Sequence, residues 1–338
     1  MPWKEEADPY RIWLSEIILQ QTRVEQGWPY FERFVAAYPT VAALAAADDD
    51  AVMKLWEGLG YYSRARNLLK AARAVVSDHG GTFPDTYAGL NTLPGVGPYT
   101  AAAIASFAFG LQVAVLDGNV YRVLSRYTGD ATPIDTGGGR KHFQQLVDRA
   151  LGEVPAARFN QAIMDFGALV CTPKRADCGQ CPLAEACEAR RTERVYALPV
   201  KSKRTSQRDR YFHYLVIEDR QHHLLLQQRG AGDIWQDLYQ FPLIEASTID
   251  LTTDELMAHP DWPAVVDASE LRPVRRSKGY RHQLSHQRIG VVFHRFDAPA
   301  LPGVAPPYVR VGRTALGQYA LPRVITRYLT DTAPGLGL

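Results

Sequence analysis

The sequence predicts a mainly α-helical domain followed by an α+β domain, and three observations carry that reading. Residues 8–190 place apolar side chains on helical spacing, with Gly and Pro punctuating the gaps. Beyond residue 208 the pattern turns to β-rich runs. Between the two, Arg190, Arg191, Arg194, Lys201, Lys203, Arg204, Arg208 and Arg210 crowd a stretch that contains Pro199 and shows little periodicity. The division expected is a helical domain at 1–190, a basic linker at 191–207 and an α+β domain at 208–338. A length of 338 residues suits two domains, and 46% hydrophobic residues suffice for two cores.

The helical part opens at Asp8-Pro9, an N-cap side chain followed by a proline whose missing N–H costs nothing in a first turn. Apolar spacing then predicts helices over 10–21, 41–57, 63–78, 98–109, 119–127, 140–151 and 158–170. In the second part, 211–217 and 223–227 read as strands flanking a polar turn, and 288–296 as a further strand. There is no internal repeat and no low-complexity tract.

Composition excludes some functions. No apolar run approaches a membrane span, and the start, Met1-Pro2-Trp3-Lys4, lacks the basic-then-apolar layout of a signal peptide. A cytoplasmic protein with no membrane partner is expected. A net charge of +2 neither demands nor excludes nucleic acid. All four cysteines lie between Cys171 and Cys187, and such crowding in a cytosolic chain argues for metal ligation rather than disulfides.

Four segments carry chemistry. Leu93-Pro94-Gly95-Val96-Gly97-Pro98-Tyr99-Thr100 is a tight turn between helices. Its glycines, Gly95 and Gly97, let the backbone come close to a partner, and the N–H groups of the next helix can face a phosphate. Asp117-Gly118-Asn119 stands at the start of another helix, where Asp117 is either a simple cap or a working acid. Cys171, Cys178, Cys181 and Cys187 are separated by six, two and five residues, a set that encloses either a zinc ion or an iron–sulfur cubane. Glu16 lies mid-helix among Ile12, Trp13, Leu19 and Gln20. An acid on so apolar a face has its charged form disfavoured, as a general acid requires.

The hairpin with its downstream aspartate resembles the helix-hairpin-helix DNA glycosylases, and the cysteine intervals match the loop that holds a [4Fe–4S] cluster in the endonuclease III and adenine glycosylase families. Trp13-Leu14-Ser15-Glu16-Ile17-Ile18-Leu19-Gln20-Gln21-Thr22, Gly58-Leu59-Gly60-Tyr61-Tyr62-Ser63-Arg64 and Phe159-Asn160-Gln161-Ala162 resemble the adenine glycosylase branch. The resemblance covers nearly all of the first 190 residues. It implies a hydrolase that removes adenine mispaired with 8-oxoguanine or guanine in double-stranded DNA, acting as a monomer on nucleoid DNA. Glu16 would protonate the purine, Asp117 would stabilise the oxocarbenium ion, and Tyr99 and Asn119 would orient the two acids. Gln21, Thr22, Leu59, Tyr61, Gly95, Gly97 and Gln161 would contact DNA, with Lys174 and Arg175 as phosphate contacts. Lyase-competent relatives carry a lysine at the position of Tyr99, so base removal without strand cleavage is implied.

Leu224-Leu225-Leu226-Gln227-Gln228-Arg229, with Trp235, Leu238 and Phe241-Pro242, resembles the Nudix fold. The segment Leu243–Thr248 lacks the glutamate cluster that a Nudix hydrolase uses to hold divalent metal. The resemblance makes this domain the reader of 8-oxoguanine, through Ser285 and His286 in His282-Gln283-Leu284-Ser285-His286. Leu284 stands where the family usually has Phe, and the chain starts at a point where family members carry a preceding helix. A thymine or uracil mismatch glycosylase is disfavoured by Glu16, a pyrophosphohydrolase by the missing glutamates, and an electron carrier by the glycine hairpin.

Overall fold

The computed structural model describes residues 7–202 and 207–332. Met1 to Glu6, where a preceding helix would join, and Lys203 and Arg204 of the basic stretch lie outside the described residues.

In chain order the helices of the first part are α1 (Pro9–Leu19), α2 (Val24–Ala37), α3 (Val41–Ala45), α4 (Asp49–Leu55), α5 (Ser63–His79), α6 (Tyr87–Leu90), α7 (Pro98–Phe109), α8 (Gly118–Thr128), α9 (Gly137–Leu151), α10 (Ala156–Leu169) and α11 (Glu188–Arg191). There follow β1 (Arg208–Asp219), β2 (His223–Gln228), β3 (Tyr239–Gln240), β4 (Leu243–Ala246), α12 (Thr253–Met257), β5 (Arg272–Arg276), β6 (Tyr280–Gln283), β7 (Gln287–Ala298), β8 (Tyr308–Gly312) and α13 (Arg323–Thr332). Among the described residues no helix is long and apolar enough to cross a membrane.

The chain divides into two compact units that are not contiguous in sequence. One comprises 1–46 and 67–204, and the other 47–66 and 205–338. Residues 47–66, read from the sequence as part of the helical domain, group with the sheet.

In the helical unit, α1 starts as expected: the Asp8 carboxylate accepts the Tyr10 N–H at 2.9 Å and Pro9 occupies the first turn. It buries Trp13, Leu14, Ile17 and Ile18 and packs against α7. Side chains from Thr100 to Ser106 are small apart from Ile104 and all buried, so the two helices approach closely. Helix α2 was not predicted, because Gly27 and Pro29 lie inside it and read as breaks. A Cβ on Gly27 would stand 2.7 Å from Leu19 Cδ2, so that glycine serves the packing of α2 on α1. The predicted helix 41–57 divides into α3 and α4 because the Asp48 carboxylate caps a new start, accepting from the Ala51 N–H at 3.1 Å. The basic stretch up to residue 202 lies against this unit. Ile134 N–H donates to the Val200 carbonyl at 3.1 Å and Arg194 donates to the Gly129 carbonyl at 3.0 Å.

In the other unit an eight-stranded mixed sheet runs β3-β2-β1-β7-β5, with β4 on β1, β6 on β7 and β8 on β2. Strands β1 and β7 pair in parallel along their full length, from Arg208↔Gln287 to Asp219↔Ala298. Their middles are buried, as expected of central parallel strands rich in branched and aromatic residues. Phe293 of β7 stacks on Tyr328 of α13 with ring centroids 3.9 Å apart. Strands β6 and β7 form a hairpin closed by Leu284 N–H donating to the Gln287 carbonyl at 2.8 Å, which leaves Ser285 and His286 exposed at its tip.

The two hairpin glycines make opposite demands. Gly95 has φ +75° and a Cβ there would meet Asn67 Cβ at 2.6 Å, whereas a Cβ on Gly97 meets nothing within 4 Å. Gly95→Ala should therefore cost about 1–3 kcal/mol and lower the Tm by several degrees, while Gly97→Ala should leave the Tm unchanged. Thermal denaturation of both variants checks this, and equal melting would contradict it.

Candidate active site

The helical unit gathers the four predicted catalytic side chains from three helices. Glu16 comes from the middle of α1, Tyr99 from the first turn of α7, and Asp117 and Asn119 from the start of α8. The Tyr99 hydroxyl donates to Glu16 Oε2 at 2.9 Å and lies 3.5 Å from Met164 Sδ of α10. Asp117 caps α8, accepting from the Val120 N–H at 2.7 Å, and its other oxygen accepts from the Asn119 amide at 2.8 Å. The cap and the candidate acid are thus one residue, and its β-region backbone turns the carboxylate back over the helix start.

The two acids differ in their environment. Burial pushes the Glu16 carboxyl up to about 7; the Tyr99 hydrogen bond opposes this and the nearby Asp117 charge adds to it. Glu16 as a whole residue is partly exposed, while its carboxyl is surrounded by protein. Asp117 is also raised by burial, but its bonds to Val120 and Asn119 and the charge of Arg122 pull the other way. Asp117 thus has hydrogen-bond donors and a nearby cation that favour its charged form. Burial and both acids hold the Tyr99 phenol well above its ordinary range, so it stays a neutral donor.

Arg122 and Arg126 of α8 were not singled out in the sequence, although their i,i+4 spacing on a mostly buried helix face was a signal. Arg122 donates to Asn119 Oδ1 at 2.8 Å, to the Gly167 carbonyl at 2.7 Å and to the Cys171 carbonyl at 2.7 Å. A Cβ on Gly167 would stand 2.7 Å from Asn119 Cβ, so the glycine permits this approach of α10 to α8. Arg126 donates to the Thr172 carbonyl at 2.8 Å and to Cys171 Sγ at 3.4 Å.

The four cysteines line one cavity, open to solvent, together with Arg126, Ala184 and Arg190. Cys187 Sγ donates to the Arg126 carbonyl at 3.4 Å. Among the described residues no three His, Cys, Asp or Glu side chains are drawn together tightly enough to hold a single metal ion. Four thiols arranged around a cavity, with a guanidinium beside one sulfur, fit a cubane whose own bulk separates its ligands.

The remaining predicted residues fall in three places. In the helical unit Gln21, exposed with φ 56°, and Thr22 follow α1, Gly95 and Gly97 form the hairpin turn, and Gln161 on α10 donates to Asp165 Oδ1 at 2.8 Å. Lys174 and Arg175 are exposed in the cysteine loop. In the sheet unit Leu59 is buried, while Tyr61 is half exposed with φ 48° and its hydroxyl lies 3.0 Å from Ser285 Oγ. His286 is exposed beside it.

Comparison with known proteins accords with this geometry. Residues 14–149 match the family described as HhH-GPD superfamily base excision DNA repair protein, and residues 213–331 match the NUDIX domain family. The adenine DNA glycosylase of Buchnera aphidicola subsp. Baizongia pistaciae (strain Bp) is 34% identical over 246 residues, covering 72% of this chain and 68% of that protein. The adenine DNA glycosylase of Homo sapiens is 45% identical over 203 residues, covering 56% of this chain and 36% of that protein. Among solved structures, a thermostable thymine-DNA glycosylase superposes with a TM-score of 0.53 at 30% identity, covering 57% of this chain and 88% of its own. The chain belongs to the adenine DNA glycosylase family, hydrolases of the N-glycosidic bond in base excision repair.

Proposed function

We propose that this protein binds duplex DNA and removes adenine mispaired with 8-oxoguanine or guanine, leaving the strand uncut. The observation that carries this reading is the pair of unlike carboxyls brought together around Tyr99 in the helical unit, Glu16 raised to about 7 and Asp117 held by hydrogen-bond donors.

Adenine must leave the base stack to be reached. The N–H groups at the start of α7, behind the open Gly97, receive a phosphate. The Gln161 amide reads the adenine edge: one N–H goes to Asp165, and its carbonyl and second N–H can accept from and donate to the base. Glu16 then protonates the purine, at N7, so that it departs neutral, and Tyr99 fixes the carboxyl it donates from. As the glycosidic bond breaks, the sugar becomes an oxocarbenium ion. Ionised Asp117 stabilises it, or bonds to it briefly before water attacks, by the logic of retaining glycosidases. Tyr99 cannot form a Schiff base, and no β-elimination follows.

Cys171, Cys178, Cys181 and Cys187 would hold a [4Fe–4S] cluster, whose thiolate–iron bonds would close the loop. Lys174 and Arg175 on that loop meet phosphates. In the sheet unit Ser285 and His286 read 8-oxoguanine from the hairpin tip, beside Tyr61.

The pH dependence follows from Glu16. The first-order rate on a saturated A:8-oxoguanine duplex should fall tenfold per pH unit above about 7, as the acid ionises. Glu16→Gln should bind the duplex and release no adenine. Stability runs the same way: a folded-state value above the unfolded one makes the contribution complete below the model-peptide value of 4.5 and lost as pH rises through about 7. Glu16→Gln should accordingly melt like wild type at pH 4 and be about 1–3 kcal/mol more stable at pH 8. An active Glu16→Gln protein, or a wild-type rate that is flat to pH 9, would remove Glu16 from this role.

Ser285→Ala with His286→Ala should lower the preference for A:8-oxoguanine over A:G by roughly tenfold at one salt concentration, the worth of one good base contact. An unchanged preference would move lesion recognition elsewhere. Freshly prepared protein should be yellow-brown with about four irons and matching sulfide per chain. One zinc without iron or sulfide would refute the cluster.

A further inference from the structure

The half-exposed Tyr61 sits in a backbone conformation that a side chain rarely adopts. Gly58, Gly60 and Tyr61 have φ of 89°, 79° and 48°, three left-handed residues within four positions. Such a turn persists in a non-glycine residue only where its surroundings over-determine it. Within the turn, the Trp56 indole N–H donates to the Gly60 carbonyl at 3.0 Å, Arg64 donates to the same carbonyl at 3.1 Å, and the Gly58 N–H donates to the Tyr62 hydroxyl at 3.1 Å.

The bonds that fix this segment as a whole come from far along the chain. Asp50 Oδ2 accepts from the Tyr239 hydroxyl of β3 at 2.8 Å. Lys54 pairs with Glu57 and donates to the Tyr319 carbonyl at 3.1 Å. Glu57 Oε1 accepts the Leu321 N–H at 2.8 Å, just ahead of α13. Arg66 donates to the Gln236 carbonyl at 2.9 Å. Tyr239 and Tyr319, which receive the first two anchors, pack edge to face at 4.8 Å. Residues 47–66 therefore belong physically to the sheet, although they are encoded among the helices.

We infer that Asp50 and Glu57 are positioning residues: they seat the 58–62 turn on the sheet so that the Tyr61 hydroxyl and Ser285 Oγ are presented together as one reader of the base opposite adenine. This rests on the assignment of Ser285 as a reader. Neither anchor touches DNA or the reacting atoms. Their loss should cost discrimination and leave the chemistry on an A:G duplex unchanged, because Glu16 and Asp117 belong to the other unit.

The test uses the full chain with Glu57→Ala, Glu57→Gln and Tyr239→Phe, alongside Ser285→Ala. Tyr239→Phe keeps the ring and removes only the hydroxyl, so it reports on folded protein even where Glu57→Ala does not. Two readouts are taken: amide hydrogen exchange at 58–62, and single-turnover adenine release from A:8-oxoguanine and A:G. Glu57→Ala and Tyr239→Phe should speed exchange of the Gly58 and Leu59 amides. Each should also lower the A:8-oxoguanine preference about fivefold, the value of one ordinary hydrogen bond, with no further loss in a Ser285→Ala background. Glu57→Gln should restore both, since its amide oxygen still accepts from Leu321 N–H. Unchanged exchange at 58–62 in both folded variants would overturn the inference. So would faster exchange with an intact preference while Ser285→Ala loses it. A Ser285→Ala protein with full preference would instead defeat the reader assignment, and the exchange data would then decide the anchoring alone.

Discussion

A single buried guanidinium organises the end of the helical unit that carries the candidate acids. Arg122 meets the start of its own helix at Gly118 and Asn119, the end of α10 at Gly167 and the start of the cysteine loop at Cys171. A buried cation is tolerated only when its donors are satisfied, and among the described residues carbonyl oxygens and one amide oxygen accept from it. Burial and the neighbouring Arg126 disfavour its charge, which makes each of those acceptors costly to lose. Asn119 is held by Arg122 on one side and donates to Asp117 on the other, so the orientation of the candidate acid depends on where Cys171 lies. The loop is thereby coupled to the active site by hydrogen bonds, with no need for the cysteines to take part in hydrolysis.

The sheet unit repeats the device with opposite consequences. Arg210, 7% exposed, donates through Nη1 and Nη2 to Asp233 and through Nε and Nη2 to Glu245, and stacks over Phe212 at 4.7 Å. Here the buried cation consumes carboxylates. Glu245 is the one acid in the segment Leu243–Thr248, where a Nudix hydrolase would cluster its metal ligands, and its two oxygens are committed to Arg210. Asp233 is shared between Arg210 and Arg229. The acids of this region thus hold the sheet together, which is consistent with a Nudix fold retained for binding.

Much of the site was legible because its chemistry is local. Asp8 and Asp117 act as caps within three residues of their own positions, and the glycine turn and cysteine intervals are short-range patterns. Glu16 stood out as an acid on an apolar helix, and the structure supplies the burial that the pattern implied. Other features are decided over distances that periodicity does not reach. Helix α2 is concealed by Gly27 and Pro29, whose roles depend on packing against α1. Strands β4, β5 and β6 are short, and β5 is exposed throughout, so neither alternation nor a hydrophobic run marks them. The grouping of 47–66 with the sheet rests on partners more than 150 residues away, such as Tyr239, Tyr319 and Leu321.

That last feature changes how the division of labour between the units has to be reasoned. A boundary drawn at residue 208 separates chemistry from recognition only if each side keeps its own partners. Cutting there would leave Glu57 without the Leu321 N–H, Asp50 without the Tyr239 hydroxyl and Tyr61 without Ser285, all on the piece that remains. The lost bonds and a strained turn would then perturb the segment 58–62, so a change in a truncated protein would combine the loss of a reader with damage to what is left. Removing the Ser285 hydroxyl or the His286 imidazole in the intact chain does not carry that ambiguity, because the anchors at Asp50 and Glu57 stay in place. A unit built from two stretches of sequence has to be dissected side chain by side chain.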